Sequence, residues 1–233
     1  IAGLVPVRPG RRALEVSQDR LAEKGFLRGL GLATAPFAEV NDAAGLAAAL
    51  EAVGAPAILK TRRFGYDGKG QLRLATGDDM AAAWARVNAP SVLEGFVDFS
   101  AEISVIVARG TDGAVAAFDP GLNLHEGGIL RRTTVPCGLP ARLVQDAVLI
   151  ASRIVSALDY VGVMGVELFV IPQGLVVNEI ATVALISIDR VMLKWMLDDY
   201  AIVGIYTIGY SLAIQVSTAS ASPTAASTAA ADG

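Results

Sequence analysis

The sequence predicts an α+β fold arranged as two αβ lobes followed by a low-complexity tail. Three observations carry that expectation. Strand-like segments come in adjacent pairs joined by short turns, as antiparallel hairpins do. Capped helical segments lie between and after them, not in strict alternation with single strands. After Ala181 the texture changes, with no Asp, Glu, Lys or Arg from Ala201 to Ala231.

The first helix is expected over SQDRLAEKGFLRGLG (17–31), with Ser17 at the cap position and glycine after the apolar periodicity ends. DAAGLAAALEAV (42–53) predicts a second helix closed by Gly54. AILKTRR (57–63) and QLRLA (71–75) read as strands on either side of a glycine-rich loop. A helix over 79–87 and a short strand, SVLEGF (91–96), complete the first lobe. In the second lobe, EISVIVAR, the turn GTDG (110–113) and AVAAF form a hairpin. A long amphipathic helix over 140–158 places Leu143, Val144, Ala147, Ile150, Ala151 and Ile154 at helical spacing. VMGVELFVI (163–171) and LVVNEIA (175–181) then make a second hairpin around Pro172, Gln173 and Gly174.

Composition narrows the function classes. A net charge of -4 argues against a sequence-wide nucleic-acid footprint. The single Cys137 excludes an internal disulfide and a thiolate metal cage, which fits a reducing, cytoplasmic compartment. AIVGIYTIGYSLAIQV (201–216) falls short of the ~20 apolar residues of a membrane-spanning helix, so no membrane partner is expected. The end, STASASPTAASTAAADG, is too poor in bulky apolar residues to order itself.

Four constellations carry chemistry. ILKTRRFGYDGKGQ (58–71) sets Lys60 and two arginines beside Gly65, Gly68 and Gly70. Such glycines let backbone N–H groups turn towards an anion, and the cations add charge-assisted bonds to phosphate oxygens. The stretch does not match GxxxxGK[ST], because Lys69 is followed by Gly70. An ordinary solvent-facing hairpin is the plain alternative. The second constellation is Glu167 and Glu179. A three-residue Pro172-Gln173-Gly174 loop pairs Ile171 with Leu175, Phe169 with Val177 and Glu167 with Glu179. Facing carboxylates repel, unless one is protonated or a cation bridges them; oxygen ligands beside phosphates suit Mg²⁺. A two-residue turn at Gln173-Gly174 would instead send the glutamates to opposite faces. Third, VLEGFVDFSAE (92–102) joins the lobes with exposed backbone and with Glu94 and Glu102, a pattern able to read an adenine edge and ribose hydroxyls; a solvated loop is the alternative. Fourth, His125, the only histidine, has neither the nucleophile of a triad nor the company of a zinc site.

Taken together, ILKTRRFGYDGKGQ, LEGFVDFSAEISV, NLHEGGILRRT, YVGVMGVELFV and VVNEIA resemble the 5-(carboxyamino)imidazole ribonucleotide synthase family of ATP-grasp ligases in order and spacing. The resemblance extends upstream through QDRLAEKGFLRGLGLATAPF and covers about residues 5–181. It implies an ATP-grasp fold with ATP between two lobes: 1–16 a linker remnant, 17–96 the small lobe with its lid, 97–181 the large lobe with a Mg²⁺ site, and 182–233 an unmatched tail. It also implies ATP-dependent carboxylation of 5-aminoimidazole ribonucleotide with bicarbonate, through carboxyphosphate, in purine biosynthesis, by an enzyme whose relatives tend to be homodimers.

Residue by residue, the resemblance puts Arg20 and Lys60 on the nucleotide phosphates and makes Gly65, Tyr66, Asp67, Gly68, Lys69, Gly70 and Gln71 the lid. Glu94, Gly95, Phe96 and Val97 would hold adenine, Glu102 the ribose, and His125 and Asn178 would lie at the nucleotide. Glu167 and Glu179 would bind Mg²⁺. No residue is assigned as a catalytic acid or base. After NEIA (178–181) the family continues into Pro-Arg and a His-Asn-Ser-Gly-His segment, whereas this chain reads TVALISIDRVML. That discontinuity is what a shifted reading frame or mis-joined fragment would produce, and the other two frames of the coding DNA test it. The expected outcome is an ATP half-site with an incomplete acceptor half. Another ATP-grasp carboxylate-amine ligase, or a non-catalytic nucleotide-binding remnant, are the alternatives.

Overall fold

A computed structural model describes residues 8–63, 70–127 and 129–182. The expected lid residues Gly65, Tyr66, Asp67, Gly68 and Lys69 lie outside the described residues, as do 1–7 and the tail 183–233 with its apolar stretch 201–216.

The chain opens with two helices where one was expected: α1 (Arg11–Ser17) and α2 (Arg20–Gly29). Asp19, not Ser17, caps α2; its Oδ1 accepts from the amides of Leu21 and Ala22. A capping side chain needs an extended backbone, and Asp19 has φ -134°, ψ 110°, which breaks the helix at that point. Residues 11–17 are therefore not a bare linker, because α1 buries Ala13 in the main core.

The smaller lobe is a four-stranded antiparallel sheet in the order β1-β4-β2-β3. Its strands are β1 (Phe37–Val40), β2 (Ala57–Thr61), β3 (Gln71–Leu74) and β4 (Ser91–Gly95). Helices α3 (Ala43–Val53) and α4 (Met80–Val87), capped by Asp42 and Asp79, cover one face. Strand β1 escapes sequence reading because four residues after Pro36 are too few to show a period. Leu46, Leu59, Leu74 and Leu93 are fully buried in this lobe.

The larger lobe is a sheet in the order β10-β9-β5-β7-β8, with β6 paired to β5. The strands are β5 (Ala101–Arg109), β6 (Val115–Ala117), β7 (Gly121–Glu126), β8 (Ile129–Thr134), β9 (Gly162–Ile171) and β10 (Gly174–Thr182). Strict alternation in β5 sends Ile103, Val105 and Val107 to a core shared with α5 (Ala141–Ala157), and leaves Glu102 and Ser104 on the opposite face. Leu27 of α2 is buried in this second core, with Phe26 packed against it. By packing, α2 belongs with the larger lobe, although its sequence position suggested the smaller one.

The hairpin β9–β10 departs from expectation in its turn. Its loop is two residues, Pro172 and Gln173, so Gly174 faces Ile171 and Val176 faces Phe169. That register would turn Glu179 into the core. A β-bulge between Val177 and Glu179 inserts Asn178 and restores the pairing Glu179–Glu167. The facing glutamates were correctly expected, while the turn and the pairs Ile171–Leu175 and Phe169–Val177 were not. The bulge has a cause visible in the residues. Val177 and Ile180 both lie in the core three positions apart, which a period of two forbids unless one residue is extra.

Among the described residues, no helix is long and apolar enough to cross a membrane.

Candidate functional site

The site forms where α2 is wedged between β4 of one sheet and β10 of the other. Arg20, Glu23, Lys24 and Leu27 fall at i, i+3, i+4 and i+7 and so share a helix face. Leu27 enters the core, while the three charged residues meet polar groups of both lobes.

Arg20 Nη1 lies 3.3 Å from Glu179 Oε2. Burial opposes the charge of this guanidinium, but the Glu179 carboxylate outweighs it and raises the pKa above its ordinary value. Glu23 is 2% exposed, and its Oε1 accepts a short hydrogen bond from the Ile180 amide. Burial, reinforced by Glu179, pushes the Glu23 carboxyl up to about 8 against the charge of Lys24. Lys24 Nζ donates to the Asn178 carbonyl at 2.7 Å and lies 3.2 Å from Glu94 Oε2. Lys60 Nζ donates to the same oxygen at 3.1 Å. Burial alone would raise Glu94, yet the charges of Lys60 and Lys24 hold it below the usual carboxylate range. Its other oxygen, Oε1, is buried with no hydrogen-bond partner.

On the open face of the larger sheet, Glu167 pairs with Ser104 on one side and Glu179 on the other. Burial first, then the charges of Glu179 and Glu102, push the Glu167 carboxyl up to about 7. Asn178 Nδ2 lies 3.5 Å from Glu167 Oε2, so the bulge brings Asn178 and Glu179 to the same carboxylate. Glu102 is held by Asn123, whose Nδ2 donates to Glu102 Oε1 at 3.1 Å; Asn123 Oδ1 in turn accepts from Ser104 and Thr133. His125 Nδ1 stands 3.6 Å from Glu102 Oε1. The rings of Phe99 and Phe169 stack at 4.1 Å beside this group.

The connection after β4 leaves Phe96 exposed, while the Gly95 amide donates to the Pro36 carbonyl. Phe96 is 43% exposed with the Arg73 guanidinium 4.7 Å above its ring, and its amide donates to the Pro56 carbonyl. Gly95 is enclosed by Val53 and Pro36, and Val97 follows outside any strand. Just before β3, Gly70 has φ +73°, and a Cβ there would stand 2.7 Å from Thr61 Oγ1. Only glycine closes that turn, with the Thr61 amide donating to the Gly70 carbonyl at 2.9 Å. Gln71 opens β3 opposite Lys60.

A cavity of about 310 Å³ lies against this junction, lined by Arg20, Glu23, Arg63 and Glu179 among others. Asp19 pins its rim: Arg62 Nη2 donates to Asp19 Oδ2 at 2.8 Å and Arg63 Nε to the same oxygen at 3.2 Å. Sequence reading missed Asp19, Glu23, Lys24 and Arg62. The signal available was three charged residues sharing a helix face with a core leucine, which marks a polar face buried against something.

The structure therefore brings Arg20, Asn178, Glu167 and Glu179 together, and Lys60 with Glu94; Glu102 and His125 form an adjoining pair. Among the described residues, no group of three or more His, Cys, Asp or Glu could hold a metal. Two carboxylates are an oxygen-only donor set that needs ligands from elsewhere, as Mg²⁺ on a nucleotide has.

Two packed αβ lobes with paired carboxylates and cations at their junction match a known class: the chain belongs to the ATP-grasp family, whose domain model covers residues 25–183. Within it, the chain is similar to N5-carboxyaminoimidazole ribonucleotide synthases. The Brucella melitensis protein of that name is 50% identical over 179 residues, which are 75% of this chain and 49% of that protein. The Thermus thermophilus synthetase structure superposes with a TM-score of 0.71 at 41% identity, covering 77% of this chain and 49% of its own. An Aspergillus clavatus synthase in complex with ADP and 5-aminoimidazole ribonucleotide gives 0.70 at 28% identity, covering 77% and 48%. The chain spans about half the length of the curated relatives it matches.

Proposed function

We propose that this chain provides the Mg²⁺–ATP site of a 5-(carboxyamino)imidazole ribonucleotide synthase. In that reaction the γ-phosphoryl group of ATP passes to bicarbonate, giving carboxyphosphate and ADP. The amine of 5-aminoimidazole ribonucleotide then takes up the carboxyl group, with release of phosphate and a proton.

The single observation that supports this most is the facing pair Glu167 and Glu179, beside Asn178 and Arg20. A pair that repels in the free protein suits a divalent cation, and Mg²⁺ bound there would neutralise charge on the transferring phosphoryl group. Arg20 and Lys60 supply fixed positive charge for phosphate oxygens, and Gly65 to Gln71 the covering loop. Glu94 to Val97 form the adenine edge, where the unpartnered Glu94 Oε1 is a ready acceptor for an amine. Glu102, held by Asn123, takes ribose hydroxyls, with His125 beside it. Bicarbonate as co-substrate, a homodimer and a cytoplasmic location belong to the same reading.

Calorimetric titration with ATP, with and without Mg²⁺, tests the nucleotide site; failure to bind Mg²⁺–ATP overturns it. Any phosphate release with bicarbonate should depend on 5-aminoimidazole ribonucleotide, and Mg²⁺–ATP binding with no such turnover is the outcome for an incomplete acceptor half. Dependence on glycinamide ribonucleotide instead would point to another carboxylate-amine ligase.

A further inference from the structure

Glu179 is flanked by the two residues whose backbone α2 grips. Lys24 Nζ donates to the carbonyl of Asn178, the residue before it, and Glu23 Oε1 accepts from the amide of Ile180, the residue after it. Both side chains are almost fully buried, at 1% and 2% exposure, and their anchor α2 is fixed by Leu27 in the core. A β-bulge leaves backbone groups without ladder partners and can relax in more than one way. Here the neighbouring side has its own ties, since the Val177 amide donates to the Ala33 carbonyl. Lys24 also reaches Glu94 on β4, so one ammonium bonds both the strand leading to the connection between the lobes and the strand carrying Glu179.

We propose that Glu23 and Lys24 are positioning residues that clamp the Asn178 bulge from both sides and so aim the Glu179 carboxylate at the metal, with Lys24 also setting the spacing between β4 and β10. Neither residue needs to touch the nucleotide. This rests on the Mg²⁺–ATP reading of the site, and deepens it.

The clamp makes a claim that a merely structural role does not: its loss must lower the metal dependence of nucleotide binding. In the 233-residue chain, ATP affinity is measured with and without Mg²⁺ for the unaltered protein, Glu23→Leu, Glu23→Gln, Lys24→Met and Lys24→Arg. Removing groups that orient a ligand typically costs about 10–100-fold in metal affinity, so Glu23→Leu and Lys24→Met should reduce the gain from Mg²⁺ by about tenfold or more. Metal-free ATP affinity should be little changed in Glu23→Leu, and should fall as well in Lys24→Met, which also strips Glu94 of a partner. Glu23→Gln keeps the acceptor for Ile180 and should retain the gain within about twofold. Lys24→Arg keeps a donor and should recover part of what Lys24→Met loses. Equal losses with and without Mg²⁺, or no loss, overturn the clamp. Should Glu23→Leu or Lys24→Met fail to fold by circular dichroism, Glu23→Gln and Lys24→Arg decide alone: a lost Mg²⁺ gain in a folded Glu23→Gln overturns it. If the unaltered chain shows no Mg²⁺–ATP binding, it is the nucleotide reading that fails.

Discussion

Glu167 on β9 and Glu179 on β10 are direct cross-strand partners, although the residues nearer the turn are paired one position out of that register. Asn178 supplies the missing residue. The repulsion between the two carboxylates is part of what pushes Glu167 up, after burial, and a site that stores repulsion in this way gains most from a cation.

Reversing one charge of that pair should abolish the site without unfolding the protein. Glu179 is 39% exposed in its side chain, so Glu179→Lys has room, but it places a cation opposite Glu167 and beside Arg20. The expected outcome is no measurable Mg²⁺–ATP binding by calorimetry with an unchanged circular dichroism spectrum. Retained ATP affinity contradicts the facing-carboxylate site.

Glu94 is the carboxylate that both Lys24 and Lys60 face in a buried setting. Removing one member of such a group leaves uncompensated charge, so Glu94→Ala should destabilise the fold by about 3–5 kcal/mol in urea titration. A loss near zero would show that the two lysines find water or another acceptor.

Gly70 closes the β2–β3 hairpin at φ +73° against Thr61. Gly70→Ala should cost about 1–3 kcal/mol from backbone strain alone, with the contact adding to it. Combining it with Thr61→Ser, which deletes the methyl and keeps the hydroxyl, should recover little, because the nearer contact is Oγ1. Thermal melts of the single and double variants measure both parts.

Two buried carboxyls set a pH dependence. Glu167 is raised to about 7 and Glu23 to about 8 from an ordinary value of 4.5. Between those values the folded protein keeps protons that the unfolded chain has lost. Their contribution is therefore fully present below about pH 4.5 and is lost as pH rises through about 7 and 8. Metal-free protein should melt at lower temperature at about pH 8 than at about pH 6. Added Mg²⁺–ATP favours ionised Glu167 and should narrow the difference. A melting temperature that climbs steadily from about pH 5.5 to about pH 8.5 without metal argues against both raised carboxyls.

Much of the fold was legible in the residues. Helices α3, α4 and α5 and strands β2, β3, β4, β5, β9 and β10 follow from apolar period and capping chemistry, which act within a few residues. Strands β7 and β8 were not legible, because β8 is exposed throughout and carries no apolar alternation. The helix break at Asp19 was missed because two capping residues, Ser17 and Asp19, compete within three positions, and its pairing with Arg62 and Arg63 crosses 43 and 44 positions of sequence.

By itself, the sequence determined the kinds of residue at the site and the strands that carry them, because side-chain chemistry and period are local properties. It placed Glu167 opposite Glu179 through a turn that the protein does not use. Only the tertiary structure decided the route: a two-residue turn, then a bulge at Asn178 forced by burying both Val177 and Ile180. It alone showed that Glu23 and Lys24 hold that bulge, since Lys24 and the Asn178 carbonyl are 154 positions apart. No local pattern encodes such a contact; it exists because Leu27 seats α2 in the core and turns its charged face towards β10.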